Sequence, residues 1–334
     1  MADTKADNNI SDTIPVLRFA PRFREVRWGG RRIAGFKGIA LNSDRVGESW
    51  EISPLVGMET IVTDGPYKGK TPNELIAMLG SRLLGDKVTR RFGDRFPLLI
   101  KFIDAEDDLS IQVHPDDNSS HGNGKTELWY IIDAAPGSHI YSGLNRELTP
   151  EEMTELIKSR QLADVLAKHY PQSGDVFYIP AGRVHSAGAG NFVLEIQQPS
   201  DITYRLWDWD RRDASGQLRE LHVDSALRSI DYSQTDYGLA RPQLLADRET
   251  IVKRTPFFTV TALSIVSKVK LAVGTRHSFR VLVAVEGSGT VTDPQGRQTT
   301  IERGQTLFVP AEIDRVNIKS TGDDTLRLIT VFIE

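Results

Sequence analysis

The residues best suited to chemistry in this sequence are four possible metal ligands in three short segments. Two imidazoles, one carboxylate and one amide oxygen form a ligand set without sulfur, and the chain has no cysteine that could add a thiolate. Such a set suits a divalent ion such as zinc, manganese, iron or cobalt, and it leaves a coordination position open for water or a substrate oxygen. The four side chains are those of Gln112, His114, Glu127 and His185.

The spacing of these residues predicts that strands carry them. Side chains two residues apart in a strand point to the same face, so Gln112 and His114 are expected to project together, and Lys125 and Glu127 likewise. His185 follows Ile-Pro-Ala-Gly-Arg-Val, which predicts the end of a strand, a Pro-Gly turn and the start of the return strand. We therefore expect a metal site on a β scaffold.

Buried strands are predicted on both sides of these segments. Continuous apolar runs over 96–103 and 128–132 are typical of strands that are covered on both faces. Residues 192–198 alternate between two faces, which predicts a strand that directs Glu195 inward. A carboxylate on an inward face indicates a functional position.

Helices are predicted in two segments, near 71–90 and 149–169. Each begins with a threonine, a proline at the first helical position and a glutamate three residues after the threonine, starting at Thr71 and Thr149. This pattern is a capping box, which marks a helix N-terminus. The apolar periodicity of the second segment slips near 159–161, so we expect two short helices there.

The sequence contains an internal repeat. Residues 174–181 recur in similar form at 304–311, and the stretch 280–291 upstream of the second copy predicts a hairpin with a Gly-rich turn. Short strands repeated in this way indicate a β-sandwich or jelly-roll domain duplicated in tandem. Arg315 stands in the second copy where the first has His185. The second copy is therefore expected to bind no metal and to pack against and stabilise the first.

These patterns predict a mainly β protein made of tandem β-sandwich or jelly-roll domains with a small helical insert. The predicted divisions are a disordered lead over 1–13, a catalytic domain over 14–245 and a degenerate C-terminal domain over 246–334. The length of 334 residues is sufficient for two such units.

Composition excludes several classes of partner. The formal net charge of −4 provides no basic patch, which argues against nucleic acid. The sequence has no run of about 18 apolar residues, so no membrane-spanning segment is predicted. The N-terminus is polar and lacks the apolar core of a signal peptide, and we expect a cytoplasmic protein.

Residues 174–185 match Gly-x5-Pro-x-Gly-x2-His, the second cupin motif, and the order of segments along the chain closely resembles the type I mannose-6-phosphate isomerases in their short bacterial form. The sequence departs from the first cupin motif at Gln112, where a histidine is common, and from the isomerase family at Thr126, where many members have proline. It spans roughly residues 1–210, and the duplicated barrel extends it to the C-terminus. The segments that carry it are Trp28–Gly30, Gly47–Ser53, Pro97–Asp104, Leu109–Asp116, Lys125–Glu127, Gly174–His185 and Tyr204–Asp208.

The resemblance implies tandem cupin barrels and a zinc-dependent aldose–ketose isomerase that interconverts mannose 6-phosphate and fructose 6-phosphate. It implies one zinc ion per chain and a sugar phosphate as the small-molecule partner. It places Arg205 at the active-site arginine of the family, and Lys125 and Glu195 at pocket positions. The implied zinc ligands are Gln112, His114, Glu127 and His185.

The implied reaction gives these residues roles. A proton moves between C1 and C2 of the sugar through a cis-enediol(ate), whose developing charge must be stabilised by fixed charge. The guanidinium of Arg205 suits either the enediolate or the phosphate, although without the resemblance it would be interpreted as a surface arginine paired with Asp208 or Asp210. Glu195 and Lys125 are both candidates for the base, and the sequence leaves the choice open.

Two other functions are compatible with a cupin sequence. A cupin dioxygenase would use iron and a more complete set of histidines, and Gln112 in place of a histidine counts against it. A non-catalytic sugar-phosphate-binding cupin would not need all four ligand positions to be filled. Metal content distinguishes the isomerase from the dioxygenase, and an isomerase assay on mannose 6-phosphate distinguishes it from the binding protein.

Overall fold

The structure of the chain, a computed structural model, describes residues 13–119, 124–213, 215–233, 237–322 and 324–334. Of the lead predicted over 1–13, only Thr13 lies among these residues. Antiparallel strands dominate the fold. In chain order they are β1 (Leu17–Ala20), β2 (Arg22–Gly30), β3 (Val46–Ile52), β4 (Ile61–Val62), β5 (Leu99–Ala105), β6 (Ile111–Val113), β7 (Glu127–Ala134), β8 (Ile140–Leu144), β9 (Leu166–His169), β10 (Val176–Ile179), β11 (His185–Ala187), β12 (Asn191–Gln197), β13 (Tyr204–Trp207), β14 (Leu239–Ala240), β15 (Glu249–Arg254), β16 (Thr259–Ile265), β17 (Lys268–Ala272), β18 (Arg280–Glu286), β19 (Ser288–Thr292), β20 (Gln298–Glu302), β21 (Thr306–Val309), β22 (Arg315–Ser320) and β23 (Leu326–Phe332).

The helices are short and lie between strands. Among the residues that the structure describes, no helix is long and apolar enough to cross a membrane. The α-helices are α1 (Arg32–Lys37), α2 (Pro72–Leu79), α3 (Ser81–Leu84), α4 (Asp86–Phe92), α5 (Pro150–Lys158) and α6 (Val223–Ser229). In the described part of the chain, 3₁₀ helices cover Gly65–Tyr67, Leu162–Val165 and Gly274–Arg276.

The strands form two sandwiches, and the predicted tandem-barrel fold is confirmed. The first pairs a seven-stranded sheet in the order β14-β10-β7-β12-β5-β3-β2 with a five-stranded sheet in the order β13-β6-β11-β8-β9. The second pairs the seven strands β15-β16-β23-β18-β21-β1-β4 with the four strands β17-β22-β19-β20. Each sandwich encloses its own apolar cluster. The first sandwich contains the segments singled out for metal binding.

The two sandwiches are interlocked by the N-terminal strand. β1 lies in the first domain by chain order, yet it pairs with β21 of the second sandwich, with Leu17 opposite Phe308. A shared apolar cluster then runs from Phe102 and Phe192 of the first sandwich to Val281 and Phe308 of the second. The second sandwich therefore supports the outer face of the large sheet whose inner face carries part of the site.

The predicted helix starts are confirmed by both capping boxes. The hydroxyl of Thr71 accepts a hydrogen bond from the Glu74 backbone N–H, and the Glu74 carboxylate accepts one from the Thr71 N–H. Thr149 and Glu152 repeat this exchange. The second short helix predicted within 149–169 is a 3₁₀ helix that ends at Val165, and the helical prediction for 166–169 is wrong, because these residues form β9, which pairs with β8.

The hairpin predicted over 280–291 is also wrong. β18 pairs with β21 and β23, whereas the next strand, β19, pairs with β20 and β22 in the opposite sheet. Gly287 lies between them with a φ of 71° and an adjacent backbone that leaves no space for a Cβ atom. The glycine therefore carries the chain from one sheet to the other instead of closing a turn.

Candidate metal centre and cleft

Three of the four predicted ligands converge at one end of the first sandwich, and the fourth lies beside them. His185 begins β11 directly opposite Gln112 of β6 on the small sheet. His114 follows the end of β6, and Glu127 begins β7 on the large sheet. The site therefore spans both sheets, and it depends on the sandwich being closed at this end.

The ligand atoms lie close together and are buried. One oxygen of Glu127 lies 3.2 Å from Nε2 of His185, and the other lies 3.4 Å from Nε2 of His114. One donor atom from each of the three residues lies within 4.8 Å of the others. The amide nitrogen of Gln112 lies 3.3 Å from Nε2 of His185, and turning the amide group over brings its oxygen to that position.

Backbone carbonyls fix the tautomer of both imidazoles. Nδ1 of His114 lies 2.9 Å from the Ile202 oxygen, and Nδ1 of His185 lies 2.8 Å from the Arg183 oxygen. A carbonyl oxygen only accepts, so each Nδ1 carries the proton and each Nε2 keeps its lone pair. Metal-binding histidines are commonly oriented in this way. Both lone pairs are therefore directed to the same point beside Glu127.

The charges around this point favour a cation. Burial and the positive charge of Lys125 lower the pKa of His114 to about 3, so its imidazole is neutral. Burial opposes ionisation of Glu127, but Lys125, His114 and His185 together outweigh it and hold the pKa of the carboxyl well below its usual range. Both Glu127 oxygens are buried, and the Nε2 atoms beside them carry no proton to donate. Neutral imidazoles whose lone pairs face a buried carboxylate fit a divalent metal ion.

Lys125 extends from the same strand end into the ligand cluster. Its Nζ lies 2.9 Å from an oxygen of Glu127 and 3.1 Å from Nε2 of His114. Burial would lower the pKa of Lys125, but the negative charges of Glu127 and Glu195 outweigh burial and raise it. The ammonium thus remains charged, which makes Lys125 a poor proton acceptor in this arrangement.

A row of side chains crosses the small sheet next to the metal ligands. His185 on β11 lies opposite Gln112 on β6, and Gln112 lies opposite Arg205 on β13. Directly opposed residues of antiparallel strands share a face, with Cβ atoms about 5 Å apart. Arg205 therefore stands beside the ligand cluster and lines the cleft that opens from it.

A second row crosses the large sheet on the opposite wall. Trp129 on β7 lies opposite Glu195 on β12, Glu195 opposite Lys101 on β5, and Lys101 opposite Trp50 on β3. The indole N–H of Trp129 donates to one oxygen of Glu195 at 2.9 Å. The other oxygen lies 3.4 Å from Nζ of Lys101 and accepts no hydrogen bond from the described residues. Burial and the negative charge of Glu127 raise the pKa of Glu195.

The sequence interpretation missed Lys101. It falls inside the apolar run 96–103 and is only 3% exposed, with its ammonium 4.5 Å from the centre of the Trp50 ring. A lysine within a strand that is otherwise covered on both faces was the available signal, because lysine is almost never fully buried without a partner. Glu48 and Asp201 lie 4.0 and 3.9 Å from its Nζ, so they add to the compensation that Glu195 provides.

The cleft between these rows is polar and opens away from the ligand cluster. It is lined by Arg24, Val26, Trp28, Glu48, Lys101, Ile103, Leu109, Ser110, Gln112, Lys125, Glu195, Asp201, Thr203, Arg205 and Arg219. The pairing of Arg205 with Asp208 or Asp210 is not observed. Asp208 instead lies 2.5 Å from Arg211, and Asp210 lies 3.1 Å from Arg160. Arg205 is thus left to face the cleft.

Comparison with known proteins gives one consistent result. The family model of the type I phosphomannose isomerase catalytic domain matches residues 16–136, and that of the mannose-6-phosphate isomerase cupin domain matches residues 247–332. The mannose-6-phosphate isomerase ManA of Bacillus subtilis is 43% identical over 224 residues, which cover 66% of this chain and 69% of that protein. The mannose-6-phosphate isomerase of Streptococcus mutans is 34% identical over 291 residues, covering 86% of this chain and 89% of that protein.

The comparison of structures agrees with that of sequences. A crystal structure of the mannose 6-phosphate isomerase from Bacillus subtilis superposes with a TM-score of 0.81 at 31% identity. The superposition covers 95% of this chain and 99% of that one. The resemblance inferred from the motifs is therefore confirmed over nearly the whole chain.

Proposed function

The chain belongs to the type I phosphomannose isomerase family, and we propose that it interconverts mannose 6-phosphate and fructose 6-phosphate with one zinc ion per chain. The observation that supports this most directly is the convergence of the buried ligands beside a cleft that is lined by the Glu195 carboxylate and the Arg205 guanidinium. The proposed zinc ligands are Gln112, His114, Glu127 and His185.

The identity of the metal as zinc is proposed from the chemistry of the ligands. The cluster offers nitrogen and oxygen donors only, which zinc accepts in a site that keeps one position open. When bound there, the ion supplies Lewis acidity toward the adjacent oxygens at C1 and C2 of the sugar. The protein's own residues must hold the sugar, move the proton and stabilise the charge that develops.

Glu195 is our choice as the group that moves the proton between C2 and C1. Its pKa is raised, toward the range in which a carboxylate serves as base and as acid near neutral pH. The Trp129 indole holds one of its oxygens, which leaves the other directed into the cleft. Lys125 is less suitable, because its raised pKa keeps it protonated. We assign Lys125 the role of a fixed positive charge beside the sugar oxygens.

Arg205 is proposed to stabilise the enediolate. Its guanidinium is always charged and stands next to Gln112, on the wall opposite Glu195. The proton therefore moves on one face of the C1–C2 unit while the developing negative charge on the oxygens is met from the other. A positive charge fixed in place before the reaction costs no reorganisation during it, which is the usual basis of such stabilisation.

Removal of the metal tests this proposal. Treatment with a chelator is expected to reduce turnover of mannose 6-phosphate by at least about a hundredfold, because Lewis acidity contributes several kcal/mol to the reaction. Adding one equivalent of zinc should restore turnover. The rate is measured by coupling fructose 6-phosphate formation to a reporter enzyme, and the metal by elemental analysis.

The control for that experiment is protein carried through the same treatment without chelator. Full turnover by metal-free protein would contradict the metal-dependent mechanism. Tightly held iron with consumption of oxygen would indicate the dioxygenase. Binding of the sugar phosphate by zinc-loaded protein without any turnover would indicate a sugar-phosphate-binding protein.

The second sandwich is proposed to take no direct part in the reaction. Arg315 begins β22 at the position that corresponds to His185, and its side chain is exposed. Arg315→Ala is expected to leave turnover within about threefold of wild type, as for most exposed substitutions. Steady-state kinetics and the melting temperature check this. A hundredfold loss of turnover with unchanged folding and metal content would show that the second sandwich contributes to catalysis.

A further inference from the structure

A segment that follows β13 continues the wall of the cleft beyond Arg205 and contributes Arg219 to its lining. We call residues 208–213 and 215–222 the mouth segment. It leaves β13 after Trp207 and returns to the same strand, where the His222 N–H donates to the Arg205 oxygen at 2.8 Å. Nδ1 of His222 in turn accepts from the Arg205 N–H at 3.3 Å. The mouth segment therefore places its own side chains next to Arg205 but farther from the metal ligands.

Several guanidiniums share one buried carboxylate at this end of the cleft. Arg205, Arg211 and Arg219 surround the buried carboxylate of Asp208. Arg211 occupies that carboxylate at 2.5 Å, whereas Arg219 approaches it only to 3.8 Å. The Asp208 carboxylate is thus the shared counter-ion of several guanidiniums, and it interacts most strongly with Arg211, which is the nearest.

Arg219 is the arginine of the mouth segment whose positive charge a bound anion would compensate. Arg24 also lines the cleft, but it lies 3.0 Å from Asp201 and 3.8 Å from Glu48, so its charge is already compensated. Among the residues that the structure describes, the only ion pair of Arg219 is the distant one with Asp208. Burial and the repulsion of Arg205 both lower the pKa of Arg219, and a bound anion would relieve that repulsion.

We propose that Arg219 binds the phosphate group of the substrate and so selects phosphorylated over unphosphorylated sugar. The inference rests on the proposed isomerase function and adds the orientation of the substrate to it. Arg205 faces Gln112 at the inner end of the cleft, so it meets the reacting C1–C2 unit. Arg219 lines the cleft from the mouth segment, which is bonded to the outer edge of β13, away from β6 and the metal ligands. With C1 and C2 at the metal ligands, the C6 phosphate of a hexose phosphate extends in this direction. A dianion there forms charge-assisted hydrogen bonds with the guanidinium fork.

Arg219→Ala tests the inference by separating KM from kcat. The phosphate is held equally in the ground state and the transition state, so its loss raises KM and leaves kcat nearly unchanged. We expect KM for mannose 6-phosphate to rise about 10- to 100-fold, as for the loss of hydrogen bonds to a charged group. Slow turnover of unphosphorylated mannose should not change. Arg219→Lys should recover part of the affinity, because it keeps the charge and loses the fork.

Arg212→Ala is the matched control. Arg212 belongs to the same segment, and its exposed side chain only donates to the Gly216 oxygen at 2.7 Å. This variant should keep the wild-type KM. A wild-type KM in Arg219→Ala, or an equal loss of kcat in both Arg219 variants with KM unchanged, would overturn the inference.

Inorganic phosphate provides a readout that does not require turnover. Its dissociation constant, measured by calorimetry on the zinc-loaded protein, should rise at least about tenfold in Arg219→Ala and stay the same in Arg212→Ala. If the wild-type protein failed to isomerise mannose 6-phosphate, the proposed function would fall, while this loss of phosphate affinity would still support an anion site at Arg219. Phosphate binding that is unaffected by Arg219→Ala would overturn the site whatever the activity of the protein.

Discussion

His185→Ala is expected to lose its zinc and its activity together. His185 contributes an imidazole whose Nε2 lies 3.2 Å from Glu127 and 3.3 Å from Gln112, so it contacts two of the other proposed ligands. Without it three ligands remain, and the lone pair that the Arg183 carbonyl fixes toward them is lost. Turnover of mannose 6-phosphate should fall by at least about a thousandfold, since the Lewis acid contributes several kcal/mol. His114→Ala should behave in the same way.

The measurement is zinc per chain by elemental analysis, made beside the kinetics on the same preparation. His139→Ala is the matched control, because His139 is a partly buried histidine of the first sandwich that contacts Tyr141 and lies outside the ligand cluster. It should retain zinc and most of its turnover. A full complement of zinc in both His185→Ala and His114→Ala would remove the site assignment.

The part of the site that the sequence predicted is the part encoded by local spacing. Gln112 and His114 are two residues apart, Lys125 and Glu127 likewise, and His185 follows a Pro-Gly turn. Strand geometry and turn chemistry then determine which way each side chain points. The predicted helix starts at Thr71 and Thr149 were correct for the same reason, since a capping box is complete within four residues.

Features that depend on strand pairing between distant segments were not predictable in this way. β1 pairs with β21, nearly the whole chain apart, and no local pattern marks that partner. The 280–291 stretch has the apolar run and the glycines of a hairpin, but Gly287 leads the chain to the other sheet instead. Whether two consecutive strands pair is decided by how the sheets close into a sandwich, which is a property of the whole domain.

Some residues of the cleft were also not predictable from the sequence, because strand pairing brings them together. Lys101 comes to lie beside Glu195 because β5 and β12 are neighbours in the large sheet, although the two residues are far apart in sequence. Arg219 reaches the cleft only because the mouth segment turns back onto β13. The sequence indicated the metal ligands, Arg205 and Glu195, whereas Lys101 and Arg219 join them only through the topology.

Arg205→Ala is expected to lower kcat on the order of 10²–10³-fold, which is the loss seen when a single oxyanion-stabilising donor is removed. Arg205 stands opposite Gln112 in the β6–β13 ladder, across the cleft from Glu195, and no carboxylate forms an ion pair with it among the described residues. Its charge is therefore available to the enediolate, which is more negative than the ground-state sugar. An interaction made chiefly in the transition state lowers kcat more than it raises KM.

The same variant separates the two arginines of the cleft. Zinc content and melting temperature should stay near wild type in Arg205→Ala, because Arg205 is not a ligand, and Arg205→Lys should recover only part of the rate, because an ammonium lacks the bidentate fork. Arg219→Ala is the natural counterpart, with the loss expected in KM. If Arg205→Ala instead raised KM sharply and spared unphosphorylated mannose, Arg205 would be the phosphate ligand and the proposed orientation of the substrate would be reversed. Wild-type kinetics in Arg205→Ala would show that this arginine is structural, and the stabilising charge would then have to come from Lys101 or Lys125, which lie on the same cleft.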